Sequence, residues 1–287
     1  MIMNGVLVVN KEKDYTSRDI VNIISKALKT KKVGHTGTLD PLATGILVVT
    51  VGEATKISEL LTSSFKEYIA DIELGIETDT LDITGNILKE ETVFKTKEEI
   101  ENILSSMIGS YDQEVPIYSA VKINGKKLYE YAREKEEVEL PKRKVEVKEI
   151  ELLNYRQKEN KVFFKMRCLV SKGTYIRSLV RDIATKLNTI GVMTDLIRTK
   201  QGKFNIEDAY TLEQIKQGKS HLIKIEDALD IDIVEVDDYL KEKIQNGSIL
   251  ENRYPKDTVL FKQNTALAIY KKYEKDPTKV KPWKMFH

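Results

Sequence analysis

Cysteine is nearly missing from this 287-residue chain: Cys168 stands alone. That excludes an internal disulfide and a thiolate metal cluster, and it fits a reducing cytoplasm. Histidine is scarce too, and positions 35, 221 and 287 offer no metal-ligand spacing. Long apolar runs are lacking, so no segment reads as a membrane span. The N-terminal stretch before Val6-Leu7-Val8-Val9 carries neither the basic flank nor the cleavage site of a signal peptide, and the run itself reads as a first strand. A strong net charge is also absent, for +2 does not announce a nucleic-acid binder.

What is there is charge unevenly spread. Residues 221–240 hold seven acids against one lysine, whereas residues 250–287 hold nine Lys or Arg against four acids, a formal net of +5. Further basic clusters are Lys142-Arg143-Lys144 and the lysines at 29, 31 and 32. Such runs are usually solvated faces, but three of them near candidate binding loops favour a polyanionic partner.

Apolar spacing predicts helices from Thr16 or Ser17 through Lys29, over Lys97–Ile108 ending at Gly109, and over Tyr175–Leu187. Strands are predicted at Ile46–Val49, Tyr68–Leu74, Val145–Leu153 and Val162–Val170. An Asn124-Gly125 turn and a short helix at Leu128–Arg133 suggest an exposed lobe over about 124–150. Strands and helices mix without βαβ alternation, which points to α+β with a mixed, mainly antiparallel central sheet and flanking helices. The acidic segment near 230 is the expected boundary between a large unit, 1–230, and a small C-terminal module, 231–287, whose core must be slight.

The densest cluster of special residues is Gly34-His35-Thr36-Gly37-Thr38-Leu39-Asp40-Pro41-Leu42-Ala43-Thr44-Gly45. Its glycines permit positive φ and close approach of a ligand, and Pro41 biases Asp40 away from helix. An ordinary Asp-Pro turn would look the same locally. The loop is not a phosphate-binding P-loop, since no Gly-Lys-Ser/Thr follows at the required spacing. Nor is it the His-x-Gly-His signature of nucleotidyl transferases, because Thr38 stands where the second His is needed.

This segment resembles, nearly residue for residue, the signature of the TruB family of tRNA pseudouridine synthases. Lys66-Glu67-Tyr68 running into Gly75–Thr80, Ser171–Leu179, and Leu196-Ile197-Arg198-Thr199 resemble its later motifs in the same order, so the likeness spans about residues 4–210. It implies conversion of a uridine, uridine-55 of the tRNA T loop, to pseudouridine, without cofactor, metal or guide RNA, by a cytoplasmic monomer. The resemblance assigns the catalytic carboxylate to Asp40 and its partner to Arg177. A carboxylate suits the chemistry because it can attack sugar or base, or take a proton from the 2′ carbon, and still leave. The resemblance further places Tyr68 on one face of the flipped base, Leu196 on the other, and Tyr175 beside Asp40. His35 either fills the space the base vacates or orders the loop. Pro116–Lys122 and Gly125–Arg133 resemble the family's RNA-gripping insertion, and the C-terminal module resembles a PUA domain loosely; the basic cluster Lys142, Arg143 and Lys144 on the lobe is expected, from its charge, to contact phosphates. Cys168 reads as buried packing. Two other readings stand beside this one: a guide-RNA-dependent synthase of ribosomal RNA, and an RNA chaperone without catalysis.

Overall fold

The computed structural model describes residues 3–286; Met1, Ile2 and His287 lie outside them. A large sheet runs through the molecule. Its strands are β1 (Gly5–Lys11), β2 (Thr44–Val51), β3 (Lys66–Leu74), β4 (Gly109–Glu114), β5 (Lys142–Lys158), β6 (Lys161–Val170) and β7 (Gly191–Gln201). Their order is β1-β2-β7-β3-β6-β5-β4, with the short strands Val33–His35 and Phe204–Asn205 added at β2 and β7. All these pairings are antiparallel except the β7–β2 junction, where Ile197 lies opposite Thr44 and Arg198 opposite Gly45. The sheet is therefore mixed and mainly antiparallel, as the element pattern implies.

The flanking helices follow their apolar stripes. Helix α1 (Ser17–Ala27) starts in a capping box, in which the Asp19 amide donates to Thr16 Oγ1 at 3.1 Å and the Thr16 amide to Asp19 Oδ2 at 2.9 Å. It buries Ile20, Val21 and Ile24 against Leu7, Val9, Leu47 and Val49. It stops two residues short of the expected Lys29, because Lys29 turns into the left-handed region at φ 51°. Helix α2 (Lys97–Ser106) uses the same box with Thr96 and Glu99, and α4 (Ile176–Lys186) is fully seated, burying Ile176, Leu179, Val180 and Ile183. Between them α3 (Leu128–Glu134) follows a small hairpin, Lys122–Ile123 with Lys126–Lys127, turned at Asn124-Gly125.

The lobe is smaller than the sequence suggests. From Lys142 onward the chain is β5, a 17-residue strand paired on both sides, so the expected lobe over 124–150 ends at Pro141 and the basic triplet belongs to the central sheet. The predicted strand Val145–Leu153 lies within β5, which runs further in both directions; register shifts between Val147 and Glu149 and between Leu152 and Asn154 break the alternation that would have shown its full length.

A second sheet of five strands begins at β8 (Asp232–Glu235) and continues, after helix α5 (Asp238–Gln245), through β9 (Leu250–Glu251), β10 (Thr258–Gln263), β11 (Thr265–Tyr273) and β12 (Asp276–Met285). Its order is β8-β10-β11-β12-β9. Phe261 sits edge-on to both Tyr254 and Tyr270, at 5.5 and 5.1 Å, in a small core of its own. Leu260 and Ile269 point the other way, onto Val6, Val8, Ile46 and Val48 of the large sheet. The module is thus fastened to the back of β1 and β2 by shared apolar surface.

Candidate active site

The loop between α1 and β2 is held rigid before it reaches Asp40. Lys11, at the end of β1 and fully buried, donates to the carbonyls of Glu12, Tyr15 and Pro41 at 2.9, 2.6 and 3.2 Å. Burial depresses its ammonium to about 8, an effect the nearby Asp40 partly opposes. From the other side the Ser17 hydroxyl accepts from the Leu39 amide at 2.9 Å and faces its carbonyl at 3.2 Å. The end of the loop is fixed by contact: at Gly45, with φ +94°, an added Cβ would lie 2.2 Å from the Arg198 carbonyl oxygen, so only glycine fits the β7–β2 junction.

Asp40, whose side chain is 37% exposed, projects from this loop and accepts from Arg177 Nε at 2.9 Å. Arg177 is buried in the first turn of α4. Its other nitrogens donate to the Thr80 carbonyl at 2.8 Å and the Tyr118 carbonyl at 3.2 Å, and Asp82 lies 3.8 Å from Nε. One guanidinium thereby ties together the loop, the turn after β3 and the base of the lobe, in the charge-assisted geometry that fixes a carboxylate's direction.

Asp40 and Arg177 open into a cleft of about 390 Å³ lined also by Tyr68, Tyr175 and Leu196. Four separate segments converge here, and all five of these sequence-predicted residues share one cavity. Tyr68 and Leu196 come from neighbouring strands β3 and β7, both nearly buried. Tyr118, Ser119, Ala120 and Tyr129 reach in from the lobe, and Ser171 and Lys172 close the rim.

The remaining candidates fall elsewhere. His35 is outside the cleft lining, and its Nδ1 accepts from the Gly37 amide at 3.4 Å, a loop-ordering bond; burial, with Arg198 and Arg18 nearby, lowers its pKa. Lys122 is exposed on the lobe hairpin. Lys142, Arg143 and Lys144 are exposed at the sheet's far edge, opposite Glu114, Gln113 and Asp112 of β4. Successive residues of a strand face opposite ways, so the triplet is not one patch. Cys168 is fully buried, and burial pushes its thiol up to about 12, which leaves it inert packing.

Two cations escaped a role in the sequence reading although their motifs are visible there. Arg198, with no exposed surface, donates to the Ile46 carbonyl at 2.7 Å and the Gly37 carbonyl at 3.2 Å, with its guanidinium 6.0 Å from the Tyr68 ring centre. Lys66, also buried, donates to the carbonyls of Thr62 and Ser64 at 2.9 and 3.0 Å, and burial, with Arg198 and Lys172 nearby, lowers it to about 8. Both cations brace the floor of the cleft. The buried hydroxyl of Ser119, in the cleft wall, has no hydrogen-bond partner among the described residues. Among the described residues no group of three or more His, Cys, Asp or Glu side chains is placed to hold a metal ion.

Comparison with known proteins bears on what such a cleft does. A family model described as the TruB family pseudouridylate synthase N-terminal domain matches residues 25–176, and one described as the tRNA pseudouridylate synthase B C-terminal domain matches 177–241. A protein named tRNA pseudouridine synthase B from Caldanaerobacter subterraneus subsp. tengcongensis is 46% identical over 263 residues, 91% of each chain. One of the same name from Bacillus cytotoxicus is 41% identical over 298 residues, covering 99% of this chain and 97% of its own. Among solved structures, that of an H/ACA RNP bound to a substrate RNA containing 2'-deoxyuridine has a TM-score of 0.70 at 23% identity, covering 99% of this chain and 85% of that one. The archaeal box H/ACA sRNP Nop10-Cbf5 complex gives 0.70 at 22%, covering 100% and 87%. Identities this low establish a shared fold alone, including the C-terminal PUA-like sheet.

Proposed function

The chain belongs to the TruB family of pseudouridylate synthases and isomerises uridine to pseudouridine in tRNA; from that premise we propose that its target is uridine-55 of the T loop, with Asp40 as the catalytic carboxylate. The single observation that supports this most is the convergence of Asp40, Arg177, Tyr68, Tyr175 and Leu196 on one cleft. Asp40 lies inside the cleft, out of reach of a base that stays stacked. A base stacked inside a T loop must therefore be flipped out, at a cost of a few kcal/mol. Stacking on an aromatic face offsets about 1–3 kcal/mol of this. Tyr68 offers that face, Leu196 packs on the other side of the base, and Tyr175 closes the cavity beside Asp40.

The reaction breaks the N1–C1′ bond, turns the uracil and joins C5 to C1′; a proton leaves C5 and one is gained at N1, so no oxidant or cofactor enters. Asp40 acts on sugar or base while Arg177 fixes its direction, and Tyr68, which lines the same cleft, takes the C5 proton. The phosphates of the T stem stay outside, where Lys122 and, from strand β5, Lys142, Arg143 and Lys144 offer cations. His35 orders the loop in the free protein and takes the place of the base once it has flipped. Residues 1–230 hold the chemistry and 231–287 add RNA-binding surface. The protein acts as a cytoplasmic monomer without guide RNA. The test is incubation with an unmodified tRNA transcript and no other RNA, followed by pseudouridine mapping. Product at position 55 is expected. Product elsewhere would overturn the target, and a requirement for a second RNA would favour the guided reading.

A further inference from the structure

Tyr175 and Arg177 owe their places to the first turn of α4, and that turn lacks the usual local support. Tyr175 is the N-cap, in extended conformation, yet its side chain caps nothing. A helix start leaves backbone N–H groups unpaired, and a buried one must find a partner. The partner here comes from another element. Gln113, in β4 and 1% exposed, places its carboxamide against the Tyr175 backbone and is not among the residues that line the cleft. Its Oε1 accepts from the Tyr175 amide at 2.8 Å, and its Nε2 donates to the Tyr175 carbonyl at 3.2 Å.

The carboxamide is itself held. Its Nε2 also donates to the Tyr111 hydroxyl at 2.8 Å, and that hydroxyl donates to Asp182 Oδ2 at 3.2 Å. Burial, reinforced by the Asp182 carboxylate, raises the phenol well above its ordinary pKa, so it keeps its proton and remains a donor. The direction of every bond is thus determined, since the Tyr175 amide can only donate and the carboxylate can only accept. One residue further on, the Glu114 carbonyl accepts from Ser178 Oγ at 2.8 Å, so β4 grips the same helical turn twice.

We propose that Gln113 is a positioning residue for catalysis: it acts as a surrogate cap that fixes the first turn of α4, and with it the direction in which Arg177 presents itself to Asp40 and Tyr175 to the base. Gln113 touches neither the cleft nor the substrate. The inference rests on the cleft being catalytic as described above. A buried polar side chain spent on a helix start is costly unless its hydrogen bonds are made, and here each is made with a part of the site or its support. Small misplacement of reacting groups is enough to slow a reaction by about a hundredfold.

The experiment measures single-turnover pseudouridine formation with saturating enzyme, and tRNA affinity separately, in Gln113→Met, Gln113→Glu and Tyr111→Phe, with Asp40→Asn alongside. Gln113→Met keeps the volume but offers no cap, and its rate should fall about tenfold to a hundredfold with affinity within about threefold of the parent. Gln113→Glu can still accept from the Tyr175 amide and should recover a large part of that loss. Tyr111→Phe, the milder change, should slow the reaction a few fold and guards against misfolding of the Met variant. A parental rate in Gln113→Met, a loss confined to affinity, or a Glu variant as slow as Met would overturn the proposal. Pseudouridine formed by Asp40→Asn would instead overturn the assignment of the cleft, and a dead Asp40→Asn beside an unimpaired Gln113→Met would overturn this inference alone.

Discussion

The two sheets treat charge in opposite ways. Under and around the central sheet Lys11, Lys66, Asp82, Arg177 and Arg198 are all buried, whereas among the described residues from Asp232 onward no charged side chain is buried. Taking a charge from water is expensive unless it is paired and hydrogen-bonded. The central sheet accepts that expense repeatedly, and among the described residues from Asp232 onward the C-terminal sheet avoids it. Buried charge here marks where the molecule is organised for chemistry, and its absence marks where the molecule is organised for cohesion and surface.

That contrast can be broken most severely at its centre. Asp40→Asn keeps the shape of the side chain and removes its charge and nearly all its nucleophilicity. Release of tritium from C5-labelled uridine in tRNA should vanish, while gel-shift affinity stays within about tenfold, or 1.4 kcal/mol, since stacking and stem contacts persist. Tritium release by a variant shown free of deamidation would overturn the role of Asp40. The opposite sheet should answer with stability instead. Phe261→Ala empties the module's aromatic core, and denaturant unfolding should report a loss of about 3–5 kcal/mol. Single-turnover chemistry at saturating enzyme should be unchanged under native conditions; a slowed rate there would mean that the two sheets are coupled in function.

Smaller effects sharpen the comparison at its edges. Neutralising Lys142, Arg143 and Lys144 together should weaken tRNA binding by about tenfold and flatten the dependence of affinity on salt. An unchanged slope would make the triplet a solvated edge. The smallest effect concerns Lys66, whose ammonium burial depresses to about 8 in the folded chain from 10.5. Below pH 8 both states hold the proton and the folded state bears the full desolvation cost. Between 8 and 10.5 the unfolded chain binds more protons, so this group adds stability as pH rises. Lys66→Met should therefore exceed the parent by about 1 kcal/mol at pH 7, after the lost carbonyl bonds are counted, and the gap should close by pH 10. Paired urea melts at the two pH values test this, and a gap that widens with pH contradicts it.

Legibility in the sequence divided along physical lines. Helices α1, α2 and α4 were visible because a buried stripe leaves a period of 3.6, and the strands Val6–Val9 and Ile46–Val49 because they are apolar on both faces. The cleft was legible through the resemblance, which brought Asp40, Tyr68, Tyr175, Arg177 and Leu196 together from segments far apart in the chain. Strand β5 was legible only over Val145–Leu153 and not to its full length, since after Ile150 its residues are mostly exposed and its bulges cancel the alternation. Gln113 was silent for a different reason. In Gly109-Ser110-Tyr111-Asp112-Gln113-Glu114 nothing distinguishes the one buried polar side chain from its solvated neighbours; only pairing with β5 and the arrival of α4 decide which is inside. The burial of Lys11 and Lys66 is likewise silent in the sequence, because it depends on the backbone carbonyls that surround them.

The parallel junction between β7 and β2 has a consequence in time. Arg198 meets Gly45 across more than half the chain, and closing so long a loop is entropically slow and must await synthesis of the later strand. A nascent chain emerging from the ribosome can form β1, α1 and β2 from local contacts, with Asp40 already on its loop, long before Arg177, Leu196 and Arg198 exist to complete the cavity. The cavity around Asp40 therefore stays incomplete until β7 has been made, and it closes only in the step that also commits the central sheet to its final fold.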